Sequence, residues 1–272
     1  MKFKLIFILF SASLLLFLAA IVFIPMIVFS SAFSGYYFRM ICPFILLWAL
    51  IFFAFVFFYF ANRKLFFLLE KEDWPALVRY LEERVIQKGK YSQRLVRLLA
   101  NSYLVLSDSA GVMNLENKTA AANPALVDNN VLIFGTARIL GNDISGAIHF
   151  FDSRKEKAKP KYKEWVYWYH GFSLLLNRQF VEAGNEFSFL AQVSKDAVIT
   201  ALSAFFLSEI ISKALFEENQ ELMDISSAAK GRVKMTLPKI EDWRKDVSRL
   251  SSEIHAAAIS KYLEETGLWL YK

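Results

Sequence analysis

Two stretches decide the fold: Asp128–Lys155, DNNVLIFGTARILGNDISGAIHFFDSRK, and Glu164–Ala191, EWVYWYHGFSLLLNRQFVEAGNEFSFLA. They align without gaps at an offset of 36 residues, Gly135 on Gly171, Ile144 on Phe180, Ala147 on Ala183 and Phe151 on Phe187. Self-similarity at such a period marks a stacked structural repeat. The matched residues make sense as two packed helices. Gly in the first helix lets the second approach, Ala marks the crossing, and the Phe four residues later lies on the same face one turn on.

Working outward, the chain keeps a helical apolar spacing. Trp74, Leu77, Val78 and Leu81 fall at i, i+3, i+4 and i+7, and Leu95, Leu98 and Leu99 continue in that style. Breakers at Ser107–Gly111, Asn123-Pro124, Ala158–Pro160 and Gly231–Pro238 cut the chain into pieces of hairpin length. Strand-like alternation is scarce. The expected class is all-α, with antiparallel helical hairpins over 63–272 and the clearest repeats at 128–160 and 164–196. The mixed-charge segment Glu241–Lys261, with Trp243, Val247, Leu250 and Ile254, reads as one amphipathic helix capping the last repeat.

The N-terminal part has a different composition. No charge occurs from Leu5 to Phe38, and 15 of the 27 Phe precede Arg63. About 20 apolar residues cross a bilayer as a helix. Residues 1–62 therefore read as a transmembrane hairpin, with spans near 5–27 and 41–61. Pro43 suits the first turn of the second helix, and Ser30–Arg39 the link between the two. A cleaved signal sequence ending near Ser30-Ser31-Ala32 competes for the first run, although that run exceeds the usual ~7–15 apolar residues. Lys2, Lys4, Arg63 and Lys64 outweigh Arg39, so both termini are expected in the cytoplasm.

The net charge of +6 is less telling than it looks. Half comes from Lys2, Lys4 and Arg39, leaving +3 on the other 210 residues, from 29 basic and 26 acidic side chains. That balance gives no reason to expect nucleic acid as a partner. Cys42 is the sole cysteine, so no intrachain disulfide or thiolate cluster forms. His149, His170 and His255 lack metal-ligand spacing. Glu82-Glu83, Glu217-Glu218 and Glu264-Glu265 point apart on a helix, and no Gly-rich phosphate loop occurs. Asn117-Lys118-Thr119 forms a glycosylation sequon that carries no meaning on a cytoplasmic side. No enzyme, cofactor or metal is expected.

The repeat residues resemble the tetratricopeptide repeat. The first copy carries Phe134-Gly135, Ile144, Ala147, Phe151 and Pro160; the second carries His170-Gly171, Phe180, Ala183 and Phe187. Gly and Ala are 12 apart in both, as in that family. The period is 36 instead of 34, Phe134 and His170 stand where the family has Leu, and the second copy lacks the closing Pro. The plan, two spans and then repeats, is similar to HemY-type proteins of the bacterial inner membrane. The resemblance implies an α-solenoid whose first helices line a concave face for a protein or peptide partner. That face would include Asn129, Leu132, Thr136, Trp165, Trp168 and Phe172. The competing reading is that Tyr162–Leu176, apolar on all sides, is core. The expected function is a membrane-tethered scaffold. A structural subunit joined through the transmembrane hairpin and a lipid or envelope enzyme remain open alternatives.

Overall fold

A computed structural model describes residues 2–28, 31–215, 220–251 and 253–272. Among them the regular structure is helical, with no strand. The chain divides into two compact units, Met1–Tyr80 and Leu81–Lys272.

In the first unit, α1 (Lys2–Val28) and α2 (Ser31–Glu70) run antiparallel. The register is set by rings. Phe7 stacks on Tyr59 at 3.8 Å and meets Phe55 at 5.3 Å, and Phe17 meets Trp48 edge-on at 5.8 Å. The outward faces are apolar: Leu16 is 71% exposed and Phe57 76%. Lys4–Ile24 and Arg39–Glu70 have the length and composition to cross a membrane. The second helix differs from its sequence reading. It begins at Ser31, so most of the expected link is helical and Pro43 lies inside the helix. It also runs through Arg63 and Lys64 to Glu70, past the expected end of the span near 61. A proline in such a helix forfeits one backbone bond, a loss that neighbouring groups and local adjustments make up. Ser30 lies outside the described residues.

After α2, the chain reverses into α3 (Trp74–Glu82), followed by a π-helical turn, Glu83–Gln87. The second unit continues with α4 (Gln93–Val105), α5 (Ser109–Ala122), α6 (Pro124–Asp128), α7 (Val131–Leu140), α8 (Ile144–Asp152), α9 (Pro160–Leu176) and α10 (Phe180–Val193). Next come α11 (Ala197–Phe205), prolonged by the π-helical Phe206–Ile211 into α12 (Ser212–Ala214), and α13 (Gln220–Thr236). The chain closes with α14 (Ile240–Leu250), α15 (Ile254–Ala257) and α16 (Ser260–Leu270). Ala197–Ala214 is also long and apolar enough for a span, but it is packed against α9, α10, α13 and α16. Its apolarity is that of a core helix. The expected single tail helix is broken: α14 ends at Leu250, and α16 restarts ten residues on.

One turn recurs along the chain. Glu72, Ser107, Asn142 and Arg178 all take positive φ, between 54° and 61°, at spacings of 35, 35 and 36. Each ends a helix in the same way. The next residue's N–H reaches back five positions, from Asp73 to Leu68, Asp108 to Tyr103, Asp143 to Arg138 and Gln179 to Leu174. This left-handed closure satisfies the last carbonyls of the first helix. Asp73, Asp108 and Asp143 then cap the second helix, accepting from the N–H of Ala76, Gly111 and Gly146 at 3.1, 2.8 and 3.0 Å. Gln179 makes no such cap. In the second unit, the helices before these turns lie side by side, α4 on α7, α7 on α9 and α9 on α11.

Candidate functional site

Five of the six residues assigned to a partner groove are buried: Leu132, Thr136, Trp165, Trp168 and Phe172. Trp168 and Thr136 are wholly inaccessible. The cause is the chain's own C-terminal segment. α15 packs on α7, and His255 is inserted against the rings of Trp165, 5.2 Å away, and Tyr169, 5.7 Å away. The Tyr169 hydroxyl donates to the His255 carbonyl at 2.8 Å and lies 3.1 Å from its Nδ1. Further along, Tyr262 sets its ring on Phe172 and Phe206, at 5.6 and 5.0 Å. Trp168 packs against Phe172, Phe187 and Phe206. The aromatic stretch of α9 is therefore core, as the competing reading had it.

Asn129 alone of the six stays partly open, at the rim of a small polar cleft of about 90 Å³. Arg97, Asn101, Asn130, Tyr162, Glu253 and His255 join it there. Arg97 organises the rim. Its guanidinium donates to the Asn130 side-chain oxygen at 3.3 Å, the Asn129 carbonyl at 3.5 Å and the Tyr162 hydroxyl at 3.2 Å. These bonds tie α4 to the starts of α7 and α9. Two buried atoms around the cleft lack a hydrogen bond, Asn101 Oδ1 and His255 Nε2. The latter sits 3.3 Å from Glu253 Oε2. That imidazole, with Lys161 and Arg97 beyond it, holds the Glu253 carboxyl below its ordinary range. A polar volume of this size suits two or three ordered waters, or one polar group of a ligand. Sequence reading missed Arg97, Asn101, Asn130, Tyr162 and Glu253. The adjacent Asn129-Asn130 pair was the one available signal.

Two ionic clusters lie within the hairpins. Lys155 meets Glu186 at 2.8 Å and Asp152 at 3.1 Å, and His170 Nδ1 lies 2.9 Å from Glu186. Burial pushes the Glu186 carboxyl up, but His170 and Lys155 outweigh it, so its pKa ends below the ordinary value. In the second, Arg138 bridges Glu116 at 2.7 Å and Asp143 at 3.1 Å. Here burial outweighs Arg138, and the Glu116 carboxyl sits above its usual range. Both clusters join neighbouring helices. Among the described residues no group of His, Cys, Asp and Glu could hold a metal ion.

Residues 111–272, from the start of α5 to the C-terminus, match the family model described as "Uncharacterised Treponema protein". The chain belongs to this family. It is also 30% identical over 172 residues to an "Uncharacterized protein" of Treponema pallidum (strain Nichols). That alignment covers 63% of the chain and 55% of the relative, so the chain spans about half the length of the relative it matches. The family region contains the hairpins from α5 onward and the C-terminal segment that fills the α7–α9 face.

Proposed function

We propose that this chain is a membrane-tethered scaffold. α1 and α2 anchor it, and a tetratricopeptide-like α-solenoid holds a protein or peptide partner. On this reading it sits in a bacterial inner membrane with both termini and the repeats in the cytoplasm, and it carries no catalytic activity. The observation that supports it best is the recurring turn at Glu72, Ser107, Asn142 and Arg178. A period of 35–36 residues built on identical closures is the mark of a stacked array. The row α4, α7, α9, α11 is what such an array makes of its first helices.

The partner's contact falls at the rim of the polar cleft rather than on the aromatic stretch. Arg97 and Asn129 are partly exposed there, while the rings beneath are occupied by α15 and α16. The test is a photocrosslinking amino acid at Asn129 in the full chain, irradiated in native membranes. The expected result is one discrete protein adduct, weakened by Arg97→Ala in a chain that still folds. Adducts with lipid alone, or none from a folded chain, would sink the proposal.

A further inference from the structure

Helical hairpins have two ends, and in the second unit the ends differ in charge. At one end are the turns around Ser107, Asn142 and Arg178. Their charges are the capping Asp108 and Asp143, and Arg178. At the other end are the segments joining each second helix to the next first helix. One of these together with the start of α9, Arg154–Lys163, reads RKEKAKPKYK: six of its ten residues are basic and one is acidic.

The pairing inside that segment leaves a distinct surplus. Arg154 reaches Asp128 at 3.5 Å, Lys155 is held by Asp152 and Glu186, and Lys163 pairs with Glu156 at 3.0 Å. Glu156 also accepts from the Tyr167 hydroxyl, so its charge is engaged. Lys157, Lys159 and Lys161 are exposed. The same end carries Lys195 after α10, beside Asp196, and Lys234 and Lys239 around the end of α13, beside Glu241, all exposed. Apolar side chains lie on these same elements: Phe189 is 47% exposed, Val193 60% and Met235 86%. Phe189 packs on Tyr167, 5.5 Å away. The turn end also exposes Val105, Leu140 and Leu176, but without a basic surplus.

We propose that this end of the second unit docks on an anionic phospholipid surface, with Lys157, Lys159 and Lys161 as its main contact. Two arguments select lipid over another polyanion. Lysines interleaved with exposed apolar side chains suit a headgroup layer above an acyl boundary. The chain also carries two helices with the length and composition to cross a membrane, which keeps a lipid surface at hand. The inference rests on the anchor and not on the scaffold reading. A lysine held at an anionic surface gains a factor of about five in occupancy, and three act together.

The experiment uses the full chain in nanodiscs of phosphatidylcholine alone or mixed with phosphatidylglycerol, pulse-labelled with an amine reagent and read by mass spectrometry. Lys213, at the opposite end of the hairpins and 68% exposed, is the internal control. Labelling of Lys157, Lys159 and Lys161 should fall about five-fold or more on the anionic discs. High salt should restore it, and Lys213 should not change. Replacing the three by Gln should release Lys195 from the same protection. Equal labelling on both discs overturns the proposal. Protection by an added oligonucleotide or acidic protein, without any effect of phosphatidylglycerol, also overturns it. A chain that fails to enter discs overturns the anchor and the proposal together, whereas a chain that enters with unprotected lysines overturns only the latter.

Discussion

Gly135 and Gly171 align in sequence but do different work. A Cβ on Gly135 would overlap the ring of Phe151, which is fully buried and stacked on Tyr169 at 5.7 Å. A Cβ on Gly171 would meet Glu186 Cβ at 3.1 Å and the Phe187 ring at 3.3 Å, contacts that a small shift relieves. Within a helix, Ala is favoured over Gly by about 1 kcal/mol. Gly135→Ala gains that preference but forces a ring out of a packed core, so a net loss of about 2 kcal/mol is expected. Gly171→Ala should fall within about 1 kcal/mol of neutral, because the same preference offsets a mild squeeze. Chemical unfolding of the two variants in detergent, side by side, checks the contrast. Equal effects would mean that the Gly–Phe pairing does not set the approach of α7 and α8.

At the scale of elements, the sequence showed two hairpins plainly and the others only in part. The α7–α8 and α9–α10 hairpins were legible because both pair a Gly with a Phe. Counting back 35 residues from Gly135 and Phe151 leads to Ala100 and Glu116. Glu116 is buried where an aromatic would be expected and is held by Arg138, so an ion pair stands in for ring packing. Comparing residue types cannot see that substitution. The turns left no common signature either, since Glu72, Ser107, Asn142 and Arg178 share a backbone conformation and no side-chain chemistry. Asp73, Asp108 and Asp143 were the readable trace of the period, and the Gln179 position breaks it. The burial of five of the six groove residues was hidden because sequence gives the face of a helix but not what folds back over it. These turns also make a prediction. A non-glycine residue in the left-handed region costs about 1 kcal/mol, less for Asn than for a long side chain. Arg178→Gly should therefore raise stability by about 0.5–1 kcal/mol, and Asn142→Gly by less. A shift in thermal midpoint in that order is the check; destabilisation by Arg178→Gly would mean its side chain matters more than its backbone.

For the whole molecule, the decisive fact is that the C-terminal segment completes the core of the second unit. Leu263, Thr266, Gly267 and Leu270 of α16 are buried, and Tyr262 covers Phe172 and Phe206. Trp269 sets its ring on Phe205, 5.9 Å away, while Lys230 of α13 donates to its carbonyl at 2.7 Å. Trp243 lies under α16, so closely that a Cβ on Gly267 would meet its indole at 2.6 Å. A detachable tail covering a ready-made groove would come away and leave the hairpins intact. These contacts argue the opposite. Losing α15 and α16 would expose Trp165, Tyr169, Phe172, Phe205 and Phe206 together. Fully burying one such side chain is worth about 1.5–3 kcal/mol, and a domain's net stability is about 5–15 kcal/mol. Ending the chain after Leu250 should therefore abolish cooperative unfolding of the second unit and make it sensitive to protease, while α1 and α2 still enter the membrane. Tyr262→Ala, which removes a single ring, should keep the fold and cost about 2–4 kcal/mol. If the truncated chain instead unfolds cooperatively near the full-length midpoint, the C-terminal segment is a removable cover, and the aromatic face of α9 returns as the place where a partner binds.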